Sequence, residues 1–111
     1  MTAYREYSEN AELTHIEKIQ DAERYRQRQG ASDWRWALHP AGEFLDWHPS
    51  NRKSLLVVLS GRFEIGVSDG TRVVLAAGDI CIFDDYGKGH TGRVIGDEAC
   101  ETLHIGLSGD S

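Results

Sequence analysis

Two histidines, His48 and His90, stand in two stretches of the chain that echo one another. The first stretch reads AGEFLDWHPSNRKSLLVVLSG over residues 41–61, and the second reads GDICIFDDYGKGH over residues 78–90. In each, a glycine precedes an apolar strand, and a polar turn adjoins the histidine. An imidazole titrates near ~6.5, so either ring can take up or release a proton at neutral pH. An apolar surround lowers that value and a neighbouring carboxylate raises it. Asp84 and Asp85, six and five residues before His90, are placed to supply the carboxylate. Ser50, Ser54 and Tyr86 add hydroxyls. Such a set suits proton abstraction next to a carbonyl, as in isomerisation, β-elimination or cyclisation, with His48 and His90 as the catalytic pair. Flat apolar walls for a hydrophobic ring come from Trp34, Trp36 and Trp47. The expected substrate-binding residues are therefore Trp36, Trp47, Ser50, Ser54, Tyr86 and Asp84. The competing reading makes both histidines structural, held by hydrogen bonds in the core.

Other residues carry less. His39 precedes Pro40 and is expected in an exposed turn. His104 has the opposite parity to Leu103, Ile105 and Leu107, so it points away from the side on which they pack. His15 is ambiguous. Gly87-Lys88-Gly89 is either a small anion-binding turn or a flexible loop gating a cavity mouth. Cys81 and Cys100 show no CxxC spacing and read as buried thiols. Phosphate loops, GxGxxG, GxSxG and zinc-finger spacings are absent.

The elements that would position these residues are short strands. DWRWAL (33–38), the segment from Glu43 to His48, KSLLVVLS (53–60), RFEIGV (62–67), RVVL (72–75), ICIF (80–83), residues 90–95 and ETLHIGL (101–107) each read as a strand. Ser68-Asp69-Gly70-Thr71 marks a tight hairpin turn between 62–67 and 72–75. Residues 1–12 read as a frayed or edge arm, THIEKIQ (14–20) as an edge strand, and 21–32 as an exposed loop. Spacing of this kind belongs to an all-β sandwich or barrel. The chain divides into an N-terminal arm, edge strand and loop over residues 1–32 and a barrel over 33–111. Strand periodicity then places Ser54, Leu56 and Val58 inward with His48, and Leu55, Val57 and Leu59 outward. An outward apolar row calls for a cover, and the expected cover is a second copy of the chain.

The 111 residues suffice for one core, and a net charge of −6 argues against a nucleic-acid surface. No apolar run reaches the ~20 residues of a membrane span, and MTAYREYSENAEL lacks the apolar centre of a signal peptide. A cytoplasmic location is the default expectation, with neither membrane nor nucleic acid as partner.

The two stretches resemble the two motifs of the cupin superfamily, which are small double-stranded β-helix (jelly-roll) barrels. The first family motif reads Gly, five residues, His-x-His, three or four residues, Glu, six residues, Gly. Gly42, His48, Ser50, Ser54 and Gly61 fall at that spacing. The second reads Gly, five residues, Pro-x-Gly, two residues, His. Here Gly78 opens it, Asp84 and Tyr86 stand at the Pro and Gly positions, and His90 arrives one residue late. The short stretch between the motifs is similar to that of small single-domain bacterial members. The resemblance implies an all-β barrel carrying a short polar N-terminal arm. Many cupins hold a divalent metal through both histidines and the glutamate of the first motif and the histidine of the second. Carried over, His48 and His90 remain, while Ser50 and Ser54 replace the other two ligands. Neutral hydroxyls are poor ligands for first-row ions. The first expectation is thus a small organic ligand and metal-independent acid–base chemistry, of isomerase, lyase or cyclase type, with no cofactor. A second is a metal-dependent cupin of oxygenase type, in which His48 and His90 hold a divalent metal with Glu43, Asp84 or Asp85. A third is a non-enzymatic ligand-binding or sensing module.

Overall fold

In a computed structural model, residues 1–20, 29–50 and 52–110 are described. They form ten strands and no helix: β1 (Ala3–Ser8), β2 (Thr14–Lys18), β3 (Gln29–His39), β4 (Phe44–His48), β5 (Ser54–Ser60), β6 (Arg62–Val67), β7 (Arg72–Ala76), β8 (Ile80–Asp84), β9 (His90–Val94) and β10 (Cys100–Asp110). A six-stranded sheet runs β2-β1-β8-β5-β10-β3 and faces a four-stranded sheet β4-β9-β6-β7. From β3 onward, successive strands cross from one sheet to the other, except at the β6–β7 hairpin. The strand spacing called for an all-β sandwich or barrel, and the arrangement is the two-sheet jelly roll that the family resemblance implies. The β6–β7 turn is made where SDGT predicts it, with Gly70 at φ 95°.

Period-2 alternation decides what lies between the sheets. Ser54, Leu56 and Val58 of β5 are buried inward, and Leu55, Val57 and Leu59 face out, as the parity requires. Opposite them, Phe63, Ile65 and Val67 of β6 and Leu75 of β7 complete the core. Cys81 and Cys100 are buried free thiols within it.

Three expectations about the chain are corrected. Residues 3–8 are neither frayed nor at an edge: β1 lies between β2 and β8, parallel to β8, with Tyr4 beside Cys81 and Glu6 beside Phe83. Its apolar content is low because it brings an acid, not an aliphatic side chain, to the interior. Strand β3 begins at Gln29, earlier than the tryptophans suggest, because β10 pairs with it along its length. His39 is therefore the last residue of a strand and not part of an exposed turn. Of the loop expected over 21–32, residues 21–28 lie outside the described residues. No helix among the described residues is long and apolar enough to cross a membrane.

Candidate functional site

Strands β4 and β9 bring the two motif histidines together. His48 and His90 are register partners across that pair, after an irregularity in β4 between Leu45 and His48. Their rings meet edge to face with centroids 4.5 Å apart. Gly89 makes the approach feasible. Its φ is 74°, and a Cβ there would overlap the carbonyl of His48 and the Cα of Pro49. Both rings line a cavity of about 510 Å³ between the sheets. Leu45, Leu56, Phe63 and Phe83 supply its apolar walls.

The two imidazoles are held differently. The Nδ1–H of His48 donates to the carbonyl of Asp46 at 2.7 Å. A carbonyl only accepts, so a neutral His48 carries its lone pair on Nε2. His90 is buried and stacks on Phe83 at 4.5 Å. Its Nδ1–H donates to Asp85 Oδ2 at 2.8 Å, and the Oε1 atom of Glu6 stands 2.9 Å from the same nitrogen. One N–H points at one acceptor. The contact with Glu6 is thus a close ionic one, and both Glu6 oxygens are left without a hydrogen-bond donor. Burial pushes His90 down, but the bonds to Asp85 and Glu6 outweigh it and raise its pKa to about 9. Glu6 has no exposed surface, and burial raises its carboxyl to about 7 against the opposing pull of His90. Asp85 sits below the ordinary carboxylate range. Burial works against it, but its bonds to His90, Glu6 and the Ser50 N–H prevail. Near neutrality His90 is charged and Asp85 ionised, while Glu6 is close to half protonated.

A second chain of hydrogen bonds has a fixed direction. Arg35 Nη2 donates to His104 Nδ1 at 3.1 Å, since a guanidinium has no acceptor. His104 Nε2–H must then donate to Ser54 Oγ at 3.1 Å. At the far end, Ser50 Oγ donates to the Arg52 carbonyl at 2.7 Å, so Ser54 donates to Ser50 at 3.0 Å. His104 is thereby neutral, and burial and the nearby charges of Arg35, His90 and Arg52 lower its pKa.

Sequence reasoning placed some residues here and misplaced others. His48, His90, Ser50 and Ser54 share the cavity wall. Trp36 does not. It is 67% exposed on the outer face of β3, and its Nε1 donates to Glu101 at 2.8 Å. Alternation along β3 gives the inner face to Arg35, Ala37 and His39. Trp47 is 40% exposed outside the cavity, with Lys88 4.8 Å over its ring. Tyr86 is 54% exposed, and its backbone is bound to Ser8. Asp84 faces out and pairs with Arg5 at 3.4 Å, because Phe83 takes the inward position before it. Glu6, Arg35, His39 and His104 were missed as site residues. For His104 the parity rule was sound, but Leu103 and Ile105 pack on the outer face, beside Val57 and Leu55. Their opposite face is therefore the cavity. His39 is bound to Glu43 at 2.9 Å and to Thr102 at 3.3 Å. Nothing in the sequence around Glu6 marks it.

The cupin-domain family matches the chain over residues 34–106. The chain is a cupin. Glu6 and all of β1 and β2 lie outside the matched segment of this cupin. Among solved structures, a cupin superfamily protein from Desulfitobacterium hafniense is similar at 16% identity and TM-score 0.54, covering 73% of this chain and 83% of that one. A cupin-2 domain containing protein from Shewanella frigidimarina is similar at 20% identity and TM-score 0.53, covering 72% and 78%. Drosophila melanogaster CENP-C, in a structure bound to CAL1, is similar at 15% identity and TM-score 0.56, covering 86% and 75%. No curated protein matches the chain in sequence. At these identities the likeness concerns the fold alone.

The family fold can bind a metal, so the donors bear on function. At the family's ligand positions this cupin offers two imidazoles, and the hydroxyls of Ser50 and Ser54 are engaged with each other and with the Arg52 carbonyl. Asp84 points outward and Glu43 is bound to His39. Three or four histidine or carboxylate ligands are the norm, so the motif set does not fit a divalent ion. Glu6, Asp85 and His90 form a different set, with one donor atom from each lying within 4.8 Å of the others.

Proposed function

We propose that this cupin binds a small organic molecule and acts on it by metal-independent acid–base chemistry, of isomerase, lyase or cyclase type. The observation that carries the reading is the asymmetry of the histidine pair. His48 is anchored on a backbone carbonyl, which leaves Nε2 with a lone pair to accept a proton. His90 is anchored on two carboxylates, which keep its ring a proton donor. Two like groups with opposed surroundings are the usual arrangement for a base and an acid working on one substrate. A carbon acid held between them would lose its proton to His48, while His90 stabilises the oxygen on which charge develops. Ser50 and Ser54, whose protons are engaged, offer acceptor oxygens, and Leu45, Leu56 and Phe63 offer apolar contact. The test is native mass spectrometry for co-purified compounds and turnover of any compound found, in chelator, by wild type, His48→Gln and His90→Gln. Turnover that survives chelation and falls by about 10²-fold or more in each variant supports the reading. Binding without turnover makes the protein a ligand-binding or sensing module instead.

A second reading rests on the Glu6 oxygens, which are buried without a donor. With Asp85 and His90 Nδ1 they could hold a divalent cation in place of the Nδ1 proton, which would supply a fixed positive charge there. About one equivalent of metal per chain by elemental analysis of untagged protein, lost in Glu6→Gln, would select it.

The protein's other proposed partner is a second copy of itself. Trp34, Trp36, Leu38 and Leu59 are exposed on the outer face of the six-stranded sheet beside Leu55, Val57, Leu103 and Ile105. A continuous apolar sheet face of this kind favours a homodimer. Val57→Glu should sediment as a monomer, and a dimeric variant would place the interface elsewhere.

A further inference from the structure

We infer that the molecule bound in this cavity is an anion, a carboxylate-bearing compound with an apolar body, whose charged end lies against Arg35. The inference rests on the cavity being the ligand site and adds the ligand's class. Three observations carry it. First, Arg35 projects from the inner face of β3 and lines the cavity. Among the described residues its side chain makes one hydrogen bond, to a neutral acceptor, His104 Nδ1. A guanidinium has five N–H donors, so most of its capacity is left for a ligand. Second, no carboxylate is in salt-bridge contact with it among the described residues, although the charge of Asp33 acts on it from a distance. Among the described residues the guanidinium–carboxylate pairs involve Arg5, Arg52 and Arg72, and none involves Arg35. Third, the cavity is cationic inside an acidic chain. Its lining contains one carboxylate, Asp33, and that group is bound to Arg52. A chain of net charge −6 would by default present negative charge to a ligand, but here the acids have been kept off the lining. Leu45, Leu56 and Phe63 on the lining fit an apolar body. With the carboxylate at Arg35, the rest of the molecule extends along a wall that also carries the histidine pair.

The test uses a matched pair of probes, phenylacetate and phenylacetamide, which share a shape and differ in charge. Each is titrated into the full chain while backbone and arginine side-chain NMR signals are followed. Phenylacetate should shift Thr102, His104 and Arg35 signals saturably and bind at least about tenfold tighter than the amide, the low end for a charge-assisted hydrogen bond. The preference should weaken with added salt, since the cavity is open to solvent. Arg35→Met should erase the preference by weakening phenylacetate at least about tenfold more than the amide, and Arg35→Lys should restore part of it. Asp33→Asn frees Arg52 and should tighten phenylacetate alone, a gain that no misfolded variant would show. Equal binding of the two probes, or a preference that persists in Arg35→Met, overturns the anion inference while leaving the cavity as a ligand site. Cavity signals unmoved by either probe overturn both.

Discussion

Replacing Glu6 by Gln should change how the stability of the fold depends on pH. Gln copies the protonated acid, since its carbonyl can accept from His90 and its N–H can donate to Asp85. Burial raises the Glu6 carboxyl from 4.5 to about 7 in the folded protein. A group raised on folding binds its proton more tightly in the native state. Its stabilisation is therefore complete below 4.5 and is lost as pH rises through about 7. A shift of that size, at 1.36 kcal/mol per unit, corresponds to about 3 kcal/mol. The raised His90 acts in the same direction in a higher window, from 6.5 to about 9. Wild type should then lose stability steadily from mildly acidic to alkaline pH. Glu6→Gln should be flat in the lower window and fall only in the upper one. Relative to wild type, the variant should gain about 3 kcal/mol between about pH 4 and pH 8, whatever fixed cost the amide carries. Urea unfolding of chelator-treated protein, followed by far-UV circular dichroism at both pH values, gives the difference directly. Parallel curves for the two proteins would refute the reasoning, because Glu6 would then titrate alike in the folded and unfolded chains. A variant that loses stability relative to wild type between about pH 4 and pH 8 would show instead that an ionised Glu6 holds the core together.

Asp85→Asn removes one of the two carboxylates that hold the His90 charge against burial, so the ring's pKa should fall; NMR titration of the His90 ring protons in both proteins reads this, and an unchanged midpoint would contradict it. Gly89→Ala places a Cβ on the His48 carbonyl at a left-handed backbone position and should cost about 2–4 kcal/mol, seen as a lowered denaturant midpoint, and an unchanged midpoint would contradict it. Leu75→Ala, at a position with no exposed surface, should cost about 2–5 kcal/mol by cavity formation without changing the pH dependence set by Glu6 and His90.

The sequence by itself determined the container. Turn signals and period-2 patterning specify short strands whose faces are fixed by alternation, and β5 follows that rule residue by residue. The motif resemblance brought His48 and His90 together, but their pairing across β4 and β9, with four strands between them in the chain, is made by the fold. Which face of an outer strand looks inward is a different matter. The alternation of Trp34 and Trp36 with Arg35 was plain, but a tryptophan's size argues for burial, and only the pairing of β3 with β10 shows that the arginine takes the inner face. The same holds for His104, whose parity was read and whose sign was not. Asp84 and Asp85 are adjacent in sequence, and backbone direction after Phe83 alone selects Asp85 for His90. Glu6 could not be found from the chain. An acid in a polar segment has no local mark of burial, and its contact with His90 spans the parallel docking of β1 on β8. Local pattern sets periodicity and turns. The charges that meet in the interior are set by which strands become neighbours, and that is a property of the whole fold.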